Sequence, residues 1–287
     1  MDKARTTGAV SADKGDAIDV TDTTGYGGAR LSATVILLRD DADGMKVWVQ
    51  ERVLSMLNYP GLTVFPGGGV DTRDFPGRSW DDGELWQGRS AISLARQLGV
   101  TKYKARAILF AAVRELFEET GIFLAVDGTG EVLSDARTYH DQRMTLETHE
   151  LSLTDVLQKN KLAVCGDLLH PFARWVGNSE SGMWFDTFSF LAANPEGQEP
   201  DAETDEADDA NWFSPSLLMD GWRAGLVRFA PPTWMQIMEL TSYDSVAEII
   251  EAAKHRTITP IVGDPVDDPR MEEYFYRAPQ DRIGRKL

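Results

Sequence analysis

With 287 residues and 42% hydrophobic side chains, the chain can bury one large core, and the absence of any internal repeat favours a single elaborated domain. A formal charge of −17 excludes the basic field that nucleic acid or an anionic membrane surface requires, so a phosphorylated substrate has to be met through cations. One cysteine, Cys165, excludes an intramolecular disulfide or a thiolate metal cage, and no apolar run approaches the roughly 20 residues that cross a bilayer; a soluble, cytoplasmic protein is expected.

Residues 1–28 are polar and glycine-rich and read as a disordered or extended tail. Residues 31–38 (LSATVILL) predict a buried strand, and the turn at 40–44 (DDADG) joins it to 46–51 (KVWVQE) in a hairpin. A short strand at 63–65 runs into Pro66-Gly67-Gly68-Gly69, backbone that turns sharply or lets something approach closely. Residues 72–103, a Gly/Asp/Trp-rich loop followed by a helical pattern at 90–98, read as an insertion. At 104–120 (KARAILFAAVRELFEET) seven successive apolar residues predict a helix buried on nearly all sides, with Gly121 as its left-handed stop. Beyond it the pattern gives a strand at 122–126, helix over 134–160 and a strand at 183–192. An acidic segment at 196–209 has eight carboxylates in fourteen positions; a short strand at 211–213 and a helix-rich part opened by Pro215 follow, with 256–287 as a C-terminal tail.

Glu115, Glu118 and Glu119 occupy the end of the predicted helix, where the macrodipole is negative and each anion loses roughly 0.3–1 kcal/mol. Their i, i+3 and i, i+4 spacing adds like-charge repulsion, which Arg114 relieves only in part. A cation removes the strain, and clustered carboxylate oxygens are the ligands that Mg²⁺ or Mn²⁺ prefers; the bland alternative is a solvated helix end. The four histidines have no ligand spacing, and Trp48, Trp175 and Trp184 read as core residues on strands.

Arg114-Glu115-Leu116-Phe117-Glu118-Glu119-Thr120-Gly121-Ile122, with the upstream Phe65-Pro66-Gly67-Gly68, resembles the Nudix box, Gly-x5-Glu-x7-Arg-Glu-U-x-Glu-Glu-x-Gly-U, where U is bulky and aliphatic. The second half matches at every fixed position. Gly68 and Arg114 stand 46 positions apart where the motif's own spacing gives 14, so 32 residues are inserted. Counting back from Arg114, the first box glutamate is replaced by Arg106, with Glu84 of the insertion as a candidate substitute. The resemblance implies an α/β/α sandwich around a mixed β-sheet over 29–255, with an insertion inside the box at about 72–103 and a helical C-terminal extension. It implies a metal-dependent phosphoanhydride hydrolase with Glu115, Glu118, Glu119, the Gly68 carbonyl and Glu206 as candidate ligands of Mg²⁺ or Mn²⁺. Arg114 would orient the glutamates, and Glu118, Glu119 or Glu206 would serve as general base. Arg52, Arg174 and Phe65 are the candidate substrate contacts.

The long insertion, with Arg174-Trp175, Asp186-Thr187-Phe188-Ser189-Phe190, Trp212-Phe213-Ser214-Pro215 and Pro231-Pro232-Thr233-Trp234 in that order, is similar to the branch of the mammalian peroxisomal coenzyme A diphosphatase and its bacterial relatives. Relatives often carry arginine where this chain has Phe188, which raises the question of a different substrate. Coenzyme A or acyl-coenzyme A is therefore the first expectation. ADP-ribose, NADH or a nucleotide sugar is the alternative, and a non-catalytic Nudix-like ligand sensor is the reading from another class. A homodimer through the insertion or residues 271–277 is a further open arrangement.

Overall fold

Strand β1 (Arg30–Asp41) sets the layering: Leu31, Ala33, Val35 and Leu37 enter one buried cluster, and Ile36 and Leu38 enter the other, as the two-residue period of a strand buried on both faces dictates. In the computed structural model, which describes residues 21–55, 60–75, 84–179, 181–204 and 207–276, this strand lies between β2 (Gly44–Arg52), antiparallel to it, and β9 (Trp184–Ala193), parallel to it. Adding β8 (His170–Asn178), β10 (Ala207–Phe213) and β11 (Ile261–Val262) gives the order β10-β2-β1-β9-β8-β11. Two short strands complete this mixed sheet: β3 (Thr63–Val64) pairs with β2, and β4 (Gly67–Gly69) pairs with β1.

Helices cover both faces. On one side α2 (Lys102–Thr120) packs with α1 (Ala91–Leu98), α3 (His140–Glu147) and α4 (Leu153–Asn160). On the other lie α5 (Pro215–Arg223), α6 (Pro231–Leu240) and α7 (Val246–Lys254), so the expected α/β/α sandwich around a mixed sheet is what forms. The Thr101 side chain caps α2 by accepting from Lys104 N–H, and Gly121 ends it at φ 73°. The predicted helix at 134–160 is two helices: the chain turns at His149, φ 63°, and Ser152 with Asp155 starts α4 through a capping box.

The insertion contributes α1 and the short β5 (Trp86–Gln87), which joins β6 (Ala125–Val126) and β7 (Ala163–Cys165) in a small second sheet of order β5-β7-β6. The described parts of both predicted tails, 21–28 and 256–276, contact the fold. Lys104 Nζ donates to Asp22 Oδ2 at 2.7 Å, and Tyr26 N–H donates to Asp186 Oδ2 at 2.7 Å, so residues 21–28 are docked. At the other end β11 extends the main sheet, and Tyr274 of α8 (Glu272–Tyr276) stacks on Trp222 with ring centroids 5.8 Å apart, so β11 and α8 pack against the rest of the described fold. Among the described residues no helix is long and apolar enough to cross a membrane.

Candidate active site

The glycine run of β4 and the last turn and a half of α2 face each other across a cleft of about 500 Å³. β4 pairs Gly67, Gly68 and Gly69 with Thr34, Ala33 and Ser32 of β1, while α2 crosses the same strand with its acidic end beside the glycines. A Cβ on Gly68 would collide with the Glu115 carboxylate, which is why a residue without a side chain stands there. Glu115 is half-buried, and Glu118 and Glu119 are only 7% and 3% exposed, so this is no solvated helix end.

Arg114 holds the carboxylates in order. Its Nη1 donates to Glu115 at 2.8 Å and to Glu118 at 3.0 Å, and its Nη2 donates to the Gly69 carbonyl at 3.0 Å. Its Nε and Nη2 also grip Asp74 through both carboxylate oxygens at 2.8 and 2.9 Å, with Asp74 1% exposed. Burial opposes the Arg114 charge, but Glu115 and Asp74 beside it prevail and raise its pKa.

Asp74 corrects the reading of the interrupted box. Counted forward from Gly68, five residues intervene before Asp74, the spacing of the first box acid; counted backward, the insertion intrudes and Arg106 falls at that position. The inserted residues therefore follow Asp74, and Glu84 is an exposed residue.

Glu119 is fixed by Gln50 of β2, whose Nε2 donates to Oε2, and by Gly67 N–H, which donates to Oε1 at 3.3 Å. Glu118 gives one oxygen to Arg114, while its buried Oε1 has no hydrogen-bond partner. Burial pushes its carboxyl up to about 7, against the pull of Arg114 and with the repulsion of Glu115. Below the helix end, the fully buried Arg143 donates from Nε to the Glu118 carbonyl at 3.1 Å and pairs with both oxygens of Asp201 at 2.8 Å. A cation thus sits where the helix dipole is negative.

Among the described residues no three His, Cys, Asp or Glu side chains stand as a complete metal cage. The donors nonetheless suit a hard divalent cation. They are all oxygens, one of them is a buried carboxylate oxygen without a partner, and Glu115 fills the space that Gly68 leaves. Glu206 lies outside the described residues.

The substrate contacts divide. Arg52 and Phe65 line the cleft. Arg174 does not: its guanidinium forks onto the fully buried Asp186 at 2.8 and 2.7 Å, donates to the Leu98 carbonyl and lies 4.6 Å from the Phe188 ring centroid. It ties the insertion to the sheet. Phe188 is fully buried in the core on the α2 side and does not line the cleft. Sequence reasoning missed Arg30, which lines the cleft over Gly69, and Gln50; neither stands in a motif. Trp48, against Trp212, and Trp175, in the core cluster beside the cleft, are buried as expected, and Trp184 is exposed rather than core.

No protein-family model matches the sequence, and no curated protein matches it. Among solved structures, the chain is similar to a NUDIX hydrolase from Alicyclobacillus acidocaldarius at 23% identity and a TM-score of 0.65, over 79% of this chain and 97% of that one. It is also matched to the NUDIX domain of Shewanella oneidensis NrtR complexed with ADP ribose, at 13% identity and a TM-score of 0.38, over 76% and 88% of the two chains. The first of these likenesses, joined to the sheet order and the loop–helix geometry above, shows that this chain has the fold of the Nudix hydrolases.

Proposed function

We propose that the protein is a divalent-metal-dependent hydrolase that cleaves the phosphoanhydride bond of a nucleoside diphosphate linked to another group. The observation that carries this reading is the set of three carboxylates at the C-terminal end of α2, two of them buried, gathered by Arg114 against the glycine run in an open cleft. Glu115, Glu118 and Glu119, with the Gly68 carbonyl and Glu206, would hold Mg²⁺ or Mn²⁺. Such an ion, when bound, neutralises phosphate charge and lowers the pKa of an attacking water. The chain's own groups do the rest. Gln50 and Gly67 N–H orient Glu119, Arg114 sets the spacing of Glu115 and Glu118, and Arg30 and Arg52 present positive charge to the phosphates. One of Glu118, Glu119 or Glu206 accepts the proton of the water. Phe65 and Trp175 offer the apolar wall for the rest of the substrate.

Coenzyme A or an acyl-coenzyme A is the first substrate class, supported by the position of the insertion and by the downstream blocks. Of those blocks, Trp175 and Pro231-Pro232-Thr233 line the cleft, whereas Arg174, Asp186 and Phe188 hold the fold together. ADP-ribose, NADH and nucleotide sugars use the same carboxylates and differ only at the walls. The test is a comparison of kcat/KM across these four classes with millimolar Mg²⁺ or Mn²⁺, the products identified by mass. Release of adenosine 3′,5′-bisphosphate at the highest kcat/KM supports the coenzyme A assignment, and preference for another member reassigns the substrate. Turnover of none of them leaves the ligand sensor as the better reading.

A further inference from the structure

The insertion builds a second concave surface. A groove of about 910 Å³ lies between α1, α7 and the turn entering β8. His170, at the start of β8, belongs to this groove, and Asn178, at the end of the same strand, belongs to the cleft; at about 3.3 Å per residue they are roughly 25 Å apart.

The charge of this groove is opposite to that of the molecule. Arg89, Arg96, Lys254 and Arg256 line it against one carboxylate, Asp167, in a chain with 29 basic and 46 acidic residues. Lys254 and Arg256 have carboxylate partners of their own, Glu251 at 2.7 Å and Glu239 at 2.6 Å. The two arginines supplied by the insertion differ. Arg89 is half-buried, and among the described residues its guanidinium donates only to neutral acceptors, Gln97 Oε1 at 2.8 Å and the Leu169 carbonyl at 3.4 Å. Asp167 accepts from the Arg89 backbone N–H instead, at 3.1 Å. Arg96 is exposed and, among the described residues, has no ion pair. Burial lowers the pKa of His170, and the positive charges of Arg89 and Lys254 lower it further, as a local positive field requires.

Arg89 carries a half-buried charge whose Nε is buried without a hydrogen-bond partner and whose other donors meet neutral acceptors, with Lys254 and Arg96 lining the same groove, and an anion relieves that cost. We infer that the groove is a binding site for a phosphorylated small molecule, with the Arg89 and Arg96 guanidiniums as its principal phosphate contacts. Guanidinium forks match phosphate oxygens, and the volume exceeds what a single ion fills. The site is separate from the hydrolytic cleft and does not depend on the activity assigned there.

The groove holds two of the four histidines, His170 and His255, which makes it observable apart from the cleft, where His149 lies. Imidazole NMR resonances of the full chain are followed with EDTA present while tripolyphosphate is added, with chloride at matched ionic strength as control. The site predicts saturable shifts of His170 and His255 with an affinity weakened on the order of tenfold in Arg96→Gln, an exposed position, and further in the Arg89→Gln/Arg96→Gln pair. Arg30→Gln in the cleft leaves these shifts unchanged. Shifts that grow linearly and match chloride, that survive both groove variants, or that appear at His149 alone overturn the inference. ADP in place of tripolyphosphate then reads whether a nucleoside adds to the phosphate contribution: tighter binding marks a nucleotide ligand, and equal binding at matched charge marks a ligand recognised through its phosphates.

Discussion

Gly68 and Asp74 show how much of the site depends on single side chains. Replacing Gly68 with alanine drives a methyl into the end of a flexible carboxylate, so the expected outcome is displacement of Glu115 with little loss of stability. Kinetics against metal concentration should show a raised metal requirement while the thermal midpoint stays within a degree or two of wild type. Asp74→Ala does the reverse. It removes the forked partner of a buried guanidinium, and the expected cost is about 3 kcal/mol in denaturant unfolding, with activity falling because Arg114 no longer spaces Glu115 and Glu118. Unchanged stability would contradict the pairing. Asp74 was legible in the sequence by counting forward from Gly68, but counting back from Arg114 conceals it, since the inserted residues lie between the two. The ties of Gln50 to Glu119 and of Arg174 to Asp186 were not legible, because a hydrogen bond between residues far apart in the chain leaves no local pattern.

At the level of elements, α2 was the most legible because its evidence is local: a seven-residue apolar run and a terminal glycine. Its C-terminal support was hidden. Arg143 comes from α3 and binds the Glu118 carbonyl and Asp201, joining the helix end to the acidic segment. Arg143→Ala is predicted to cost roughly 2–3 kcal/mol, less than a fully buried pair would because Asp201 is partly exposed. Hydrogen exchange should locate the loss in the last turn of α2, and protection equal to wild type there would refute the capping role. The 134–160 segment misled because its apolar spacing continues through a turn that the positive φ of His149 imposes.

Across the whole molecule, the strand and helix periods placed the individual elements and the layered arrangement was what the resemblance to the Nudix box implied, whereas the packing of residues 256–276 left no such signal. β11 has two residues, and Tyr274 shows its partner only once Trp222 and Trp234 are brought beside it. Deleting residues 256–287 is therefore expected to expose the α5–α6 cluster and lower the melting temperature by several degrees or abolish cooperative unfolding; a truncated protein as stable as the full chain would contradict this packing. The link between the three carboxylates and cleavage of a phosphoanhydride is read most directly by mass spectrometry of the products of coenzyme A and ADP-ribose, comparing wild type with Glu119→Gln, each with Mn²⁺ and with EDTA. Wild type with metal is expected to give phosphate-containing fragments, none with EDTA, and the variant a rate lower by on the order of 100-fold or more with the fold intact. Cleavage that persists in EDTA, or that Glu119→Gln leaves unchanged, would contradict that link.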